Sequence, residues 1–140
     1  MTALGGSDAG AHVRVICDAS VPTYMLTHWV RGHARGDQYH LPLEFVVKKL
    51  TQDGARLFGM YDRGTLQTGM KADINLIDFD RLGLNHPEMI NDLPAEMPRL
   101  MQTATGYNAT FVTGEAVQEN GRETGARPGK VVRGAPRPAL

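Results

Sequence analysis

One cysteine, no charge surplus of either sign and no long apolar run set the limits of this 140-residue chain. Cys17 has no second cysteine to bond, so no internal disulfide braces the fold. Its neighbours Val15 and Ile16 suit a small core residue better than a nucleophile. Fifteen basic residues cancel fifteen acidic ones. That balance argues against a protein built to coat nucleic acid or anionic lipid, since both need a surplus of Lys and Arg. No apolar stretch approaches the roughly 20 residues that a membrane helix needs. No N-terminal stretch has the charged, apolar, small-residue order of a secretion signal. The expectation is a soluble, cytoplasmic protein with neither nucleic acid nor membrane as partner.

Several catalytic signatures are missing as well. There is no glycine-rich phosphate loop ending in Lys and Ser or Thr, and no Gly-x-Ser-x-Gly elbow. The five histidines include no His-x-His and no His-Glu-x-x-His pair. His28 and His33 are spaced too far round a helix to share a face, and His40 and His86 fall in expected loops. A metal site needs several converging ligands, and this spacing does not supply them.

What is present has an order. The spacing predicts a helix over residues 22–35, with Ser20 as cap, Pro22 in the first turn and an apolar face of Met25, Trp29, Leu26 and Val30. A second helix starts at Leu41-Pro42, with Leu43, Val46, Val47 and Leu50 at helical spacing. A break at Thr51 and a restart to Phe58 are expected, with Gly59 as the stop. The aromatic residues at 24, 29, 45 and 58 share helical spacings and read as core.

Beyond Gly59 the pattern turns to strands. Asp62-Arg63-Gly64 and Thr68-Gly69 signal turns before a strand over residues 72–79. Residues 81–99, with three prolines, read as a long loop. Residues 110–117 read as a hairpin turning at Thr113-Gly114, and Glu119-Asn120-Gly121 marks another tight turn. Residues 127–140 read as extended or loose. Three or four strands cannot close a barrel, so their edges want partners.

The chemistry-bearing stretch is Gly6-Ser7-Asp8-Ala9-Gly10-Ala11-His12, a glycine loop after the short apolar lead Met1-Thr2-Ala3-Leu4. A carboxylate at the end of such a lead suits a general base or a metal ligand. The same residues also suit an ordinary turn in which Asp8 bonds its own backbone. A glycine loop four residues from the start implies a scaffold upstream of Met1.

Gly6-Ser7-Asp8-x-x-x-His12 resembles the last-strand motif of the amidohydrolase superfamily, in the branch of N-acyl-D-amino-acid deacylases and D-aminoacylases. The order continues with Leu41-Pro42-Leu43-Glu44, Lys48-Lys49-Leu50-Thr51 and Ala55-Arg56-Leu57-Phe58-Gly59. Asp62-Arg63-Gly64-x-Leu66-x-x-Gly69-x-x-Ala72-Asp73 and Thr110-Phe111-Val112-Thr113-Gly114 complete it.

The resemblance implies an α/β chain: the last βα unit of a metal-dependent (β/α)8 barrel, followed by C-terminal strands of a small β-sandwich. Residues 1–60 would belong to the barrel, residues 61–134 to the sandwich, and residues 135–140 to a flexible tail. It implies Asp8 as general base and acid beside zinc, and as a possible metal ligand. His12 would lie near the substrate, orienting it or Asp8. The remaining zinc ligands would lie upstream, so zinc belongs to the complete enzyme and the chain is expected to be inactive alone. The implied substrate is an N-acyl-D-amino acid or related small N-acyl compound. The alternative is a non-catalytic subunit that completes a barrel or sandwich in trans with a separate N-terminal barrel portion. Gly64, Gly69 and Asp73 read as turn-makers, not catalytic groups.

Overall fold

A computed structural model describes Leu4, residues 14–32 and residues 40–134. Helices and antiparallel sheets are both present, so the chain is a mixed α/β structure. The described residues fall into two compact units, each discontinuous in sequence. One contains residues 42–78 and 107–134, the other residues 14–32, 40–41 and 79–106.

In the first unit a helical run covers α2 (Leu43–Lys48), a π-helical stretch (Lys49–Asp53) and α3 (Gly54–Leu57). The break expected at Thr51 does not occur. The Thr51 hydroxyl donates to the Val47 carbonyl at 2.7 Å, and the chain widens into a π turn without unwinding. Gly59, at φ 69°, stops the run as expected. Its N–H donates to the Arg56 carbonyl and that of Met60 to the Ala55 carbonyl, the paired bonds of a glycine C-cap.

The same unit holds a four-stranded antiparallel sheet ordered β1 (Ile74–Ile77), β6 (Tyr107–Val112), β7 (Glu115–Glu119) and β8 (Arg122–Glu123). Ala109, in the inner strand β6, is buried opposite Leu76. Asn75 faces Thr110, whose hydroxyl donates across the pair to Asn75 Oδ1 at 2.9 Å. Both hairpins turn where the sequence predicts. Val112 pairs with Glu115 around Thr113 (φ 53°) and Gly114 (φ 84°), and Glu119 pairs with Arg122 around Asn120 (φ 48°) and Gly121 (φ 78°). Two central residues of positive φ let a two-residue loop follow the strand twist.

In the second unit a 3-10 turn (Asp18–Ser20) leads into α1 (Val21–Tyr24) and a π-helical stretch (Met25–Val30). Thr23 and Leu26 are its buried residues. The predicted extension to residue 35 runs into residues outside those described. Arg31 closes the described helix by donating through Nη1 to the carbonyls of Phe79 and Asp80.

The long loop expected over residues 81–99 is a correction. It contains β2 (Gly83–Leu84), β3 (Glu88–Leu93), a 3-10 turn (Pro94–Glu96) and the start of β4 (Met97–Met101). β2 pairs with β5 (Ala104–Thr105), and β3 pairs with β4. Each of the three prolines sits where a strand tolerates it. Pro87 precedes β3, Pro94 opens the turn, and Pro98 lies in β4 of a two-stranded ribbon. Among the described residues of this unit, Leu82 is the deepest side chain, at 1% exposed.

A second correction concerns the aromatic residues. Tyr24, Trp29, Phe45 and Phe58 are exposed, not core. The run from Leu43 turns Val46 and Asp53 inward instead, which leaves the expected apolar positions Leu43 and Val47 on the outside.

Candidate functional site

Asp8 and His12, the two candidate site residues, lie outside the described residues. The described chain resumes just beyond them at Arg14. Its carbonyl accepts a hydrogen bond of 2.7 Å from the Leu100 amide in β4.

Of the remaining histidines, His33 also lies outside the described residues. His28 stacks on Tyr24 at 4.5 Å between ring centroids and meets Trp29 edge-on at 5.0 Å. His40 and His86 lie outside regular elements. Among the described residues, no three His, Cys, Asp or Glu side chains converge where a metal could be held. The described residues therefore do not fit a zinc centre. No described helix is long and apolar enough to cross a membrane.

Ion pairs centred on Arg63, Asp53 and Asp92 organise charged residues of both units. The guanidinium of Arg63 donates to Asp62 Oδ1 at 3.0 Å and to Asp73 Oδ2 at 2.6 Å. Asp73 Oδ1 accepts the Thr113 N–H at 2.8 Å, and the Gly114 N–H donates to the Ala72 carbonyl at 2.9 Å. The turn entering β1 is thus fastened to the β6–β7 hairpin. Gly64 (φ 86°) and Gly69 (φ 88°) supply the left-handed positions that the turn requires, in keeping with a structural role for this motif.

Asp53 is buried and receives Lys49 Nζ at 2.9 Å. The hydrogen bond from Lys49 holds its carboxyl below the usual range despite desolvation. Asp92 is gripped by Arg99 through both carboxylate oxygens, at 2.6 and 2.5 Å, and is likewise lowered. Arg63 lowers Asp62 in the same way. Most of these pairs leave no local signal in the sequence. The four-residue spacing of Lys49 and Asp53 is the signal that identifies one of them.

Residues 1–118 match the amidohydrolase family. The chain belongs to that family. It is 32% identical over 96 residues to an N-acyl-D-aspartate deacylase of Alcaligenes xylosoxydans xylosoxydans, which covers 69% of this chain and 18% of the relative. It is also 32% identical over 103 residues to a D-aminoacylase of the same organism, covering 74% of this chain and 19% of the relative. The chain therefore spans less than a fifth of each of these relatives. No solved structure matches it.

Proposed function

We propose that this chain is the C-terminal part of a metal-dependent hydrolase that cleaves the linear amide bond of N-acyl-D-amino acids or related N-acyl compounds. Its family membership over residues 1–118 is the observation that carries the reading. The names of the two relatives support N-acyl-D-amino acids as the substrate class. Residues 1–60 form the end of a (β/α)8 barrel, and residues 61–134 supply strands of a β-sandwich. The sheet β1-β6-β7-β8 supports the second assignment.

Asp8 is the general base and acid. Its carboxylate takes a proton from water as the oxygen attacks the acyl carbon. It returns that proton to the amine nitrogen as the C–N bond breaks, so the products are a carboxylic acid and a free D-amino acid. Proton transfer by a positioned carboxylate accounts for roughly 10²- to 10⁴-fold in rate. His12, four residues on, orients the substrate or Asp8. Zinc belongs to this reading as a group of the complete cytoplasmic enzyme, held by ligands other than the described residues. The 140 residues alone have no turnover.

The test is Asp8→Asn in the complete enzyme. A fall in kcat of about 10²-fold or more is expected, and an unchanged kcat contradicts the assignment.

A second reading has its own observation. Leu43, Val47, Leu57 and Phe58 stay exposed along the helical run. A non-catalytic subunit completing a barrel or sandwich in trans would cover such side chains. Stable association with a separate N-terminal barrel portion supports it, and a monodisperse monomer in its presence counts against it.

A further inference from the structure

Asp53-Gly54 and Asn120-Gly121 are the two places where an acid or amide side chain precedes glycine in the pattern that closes a succinimide ring. Glycine carries no Cβ to keep its own nitrogen from the side-chain carbonyl before it. The other asparagines, Asn75, Asn85, Asn91 and Asn108, precede Leu, His, Asp and Ala. The fold shields the first dipeptide and presents the second. Asp53 is 2% exposed and ends the π-helical stretch. Lys49 keeps it ionised, and a carboxylate resists attack by nitrogen. Asn120 and Gly121 are both exposed, at the turn of the β7–β8 hairpin. Among the described residues nothing accepts the Gly121 N–H.

This hairpin is weakly held. β8 lies at the edge of its sheet, joined to β7 through the pairs Gln118 with Glu123 and Glu119 with Arg122. Such short edge elements open at the low end of local stability. Asn120 at φ 48° and Gly121 at φ 78° form a two-residue turn, whose first central residue carries ψ of about 30°. That ψ points the Gly121 nitrogen away from the Asn120 side chain, so ring closure requires the hairpin to open.

We propose that Asn120 is a site of spontaneous deamidation, gated by opening of the β7–β8 hairpin, and that its isoaspartyl product releases β8. In the opened hairpin the Gly121 nitrogen gives its proton to solvent base and attacks Asn120 Cγ. The Cγ–Nδ2 bond breaks and the side-chain nitrogen leaves as ammonia, taking its third proton from solvent. Water then adds to one of the two imide carbonyls and opens the ring, with no oxidation or reduction. Opening at Cγ leaves an aspartyl residue and an unaltered main chain. Opening at the backbone carbonyl leaves an isoaspartyl residue, whose main chain runs through Cβ and Cγ. The added main-chain carbon does not fit a two-residue turn. Asn120 also shares a shallow depression with Glu119, Arg122 and Glu123, so the new carboxylate joins two others around one guanidinium. With β8 go the bonds that Thr124 donates, from its N–H to the Val117 carbonyl at 3.1 Å and from its hydroxyl to the Ala116 carbonyl at 2.7 Å.

The test ages the folded chain at mildly alkaline pH beside a denaturant-unfolded sample. Peptide mapping follows each asparagine, and methyl transfer from S-adenosylmethionine by an isoaspartyl methyltransferase detects the isoaspartyl form. An acidic form modified at Asn120 is expected, slower to appear than in the unfolded sample, with the other asparagines unchanged. Conversion of Asn120 in the unfolded sample alone overturns the site, and equal rates in the two samples overturn the gate. Asn120→Gly keeps the positive φ and loses the amide; acidification of that variant as fast as the parent also overturns the site. Amide exchange then tests the release. The Thr124 N–H is expected to exchange at least about tenfold faster in the isoaspartyl form than in the parent or the aspartyl form. Equal exchange in all three overturns the release of β8.

Discussion

Arg63 and Asp73 stand ten residues apart in the chain and meet at 2.6 Å, guanidinium Nη1 to carboxylate Oδ2. The second oxygen of Asp73 accepts the Thr113 N–H, so one carboxylate joins a turn to a distant hairpin. Asp73→Ala is expected to destabilise the chain by about 1 kcal/mol, because the Thr113 donor loses its partner. Asp73→Asn keeps an acceptor and loses less. Thermal melts rank the two, and faster exchange of the Thr113 amide in Asp73→Ala locates the effect.

Gly64 cannot be replaced cheaply. At φ 86° an added Cβ would sit 3.0 Å from the Gln52 Cα and 3.1 Å from the Thr51 carbonyl oxygen. Gly64→Ala therefore combines left-handed strain with a backbone contact, and a loss of about 1–3 kcal/mol is expected. A chemical denaturation midpoint equal to that of the parent contradicts this.

Ala95 presents the reverse case. It adopts φ 61° and ψ 31° in the β3–β4 turn, next to Glu96 at φ 54°. A left-handed alanine costs roughly 1–2 kcal/mol that glycine does not. Ala95→Gly should raise stability by about 1 kcal/mol in denaturant titration, less the added freedom of its unfolded chain.

Acidification should weaken the fold in a defined direction. Lys49, Arg63 and Arg99 hold the carboxyls of Asp53, Asp62 and Asp92 below their ordinary values. Each group then binds fewer protons folded than unfolded. Its contribution is complete above the unfolded value of about 4 and is lost as pH falls through the folded value. Melting temperature should hold steady to about pH 5 and decline below about pH 4. Asp92→Asn should flatten the decline, and an equally steep decline in that variant contradicts its share.

Local rules made much of the fold legible. The hairpin turns at Thr113-Gly114 and Asn120-Gly121 follow from the positive φ that two-residue loops demand. Gly59 ends its helix because a left-handed C-cap favours glycine. What stayed hidden depends on pairing across distance. The β3–β4 hairpin is held by Asp92 and Arg99, and nothing local distinguishes its prolines from those of a loop. Exposure of Phe45 and Phe58 was equally unreadable, because helical spacing defines a face without saying which face turns inward. Asp8 is a candidate through its motif alone and lies outside the described residues.

The most direct measurement grafts this chain in place of the matching segment of the D-aminoacylase from Alcaligenes xylosoxydans xylosoxydans. Release of free D-amino acid from an N-acyl-D-amino acid is then followed with Asp8 and with Asp8→Asn. The account predicts turnover by the Asp8 graft and a loss of about 10²-fold or more in its Asn counterpart. Equal turnover by the two grafts would contradict it, as would a folded, metal-loaded Asp8 graft with no deacylase activity.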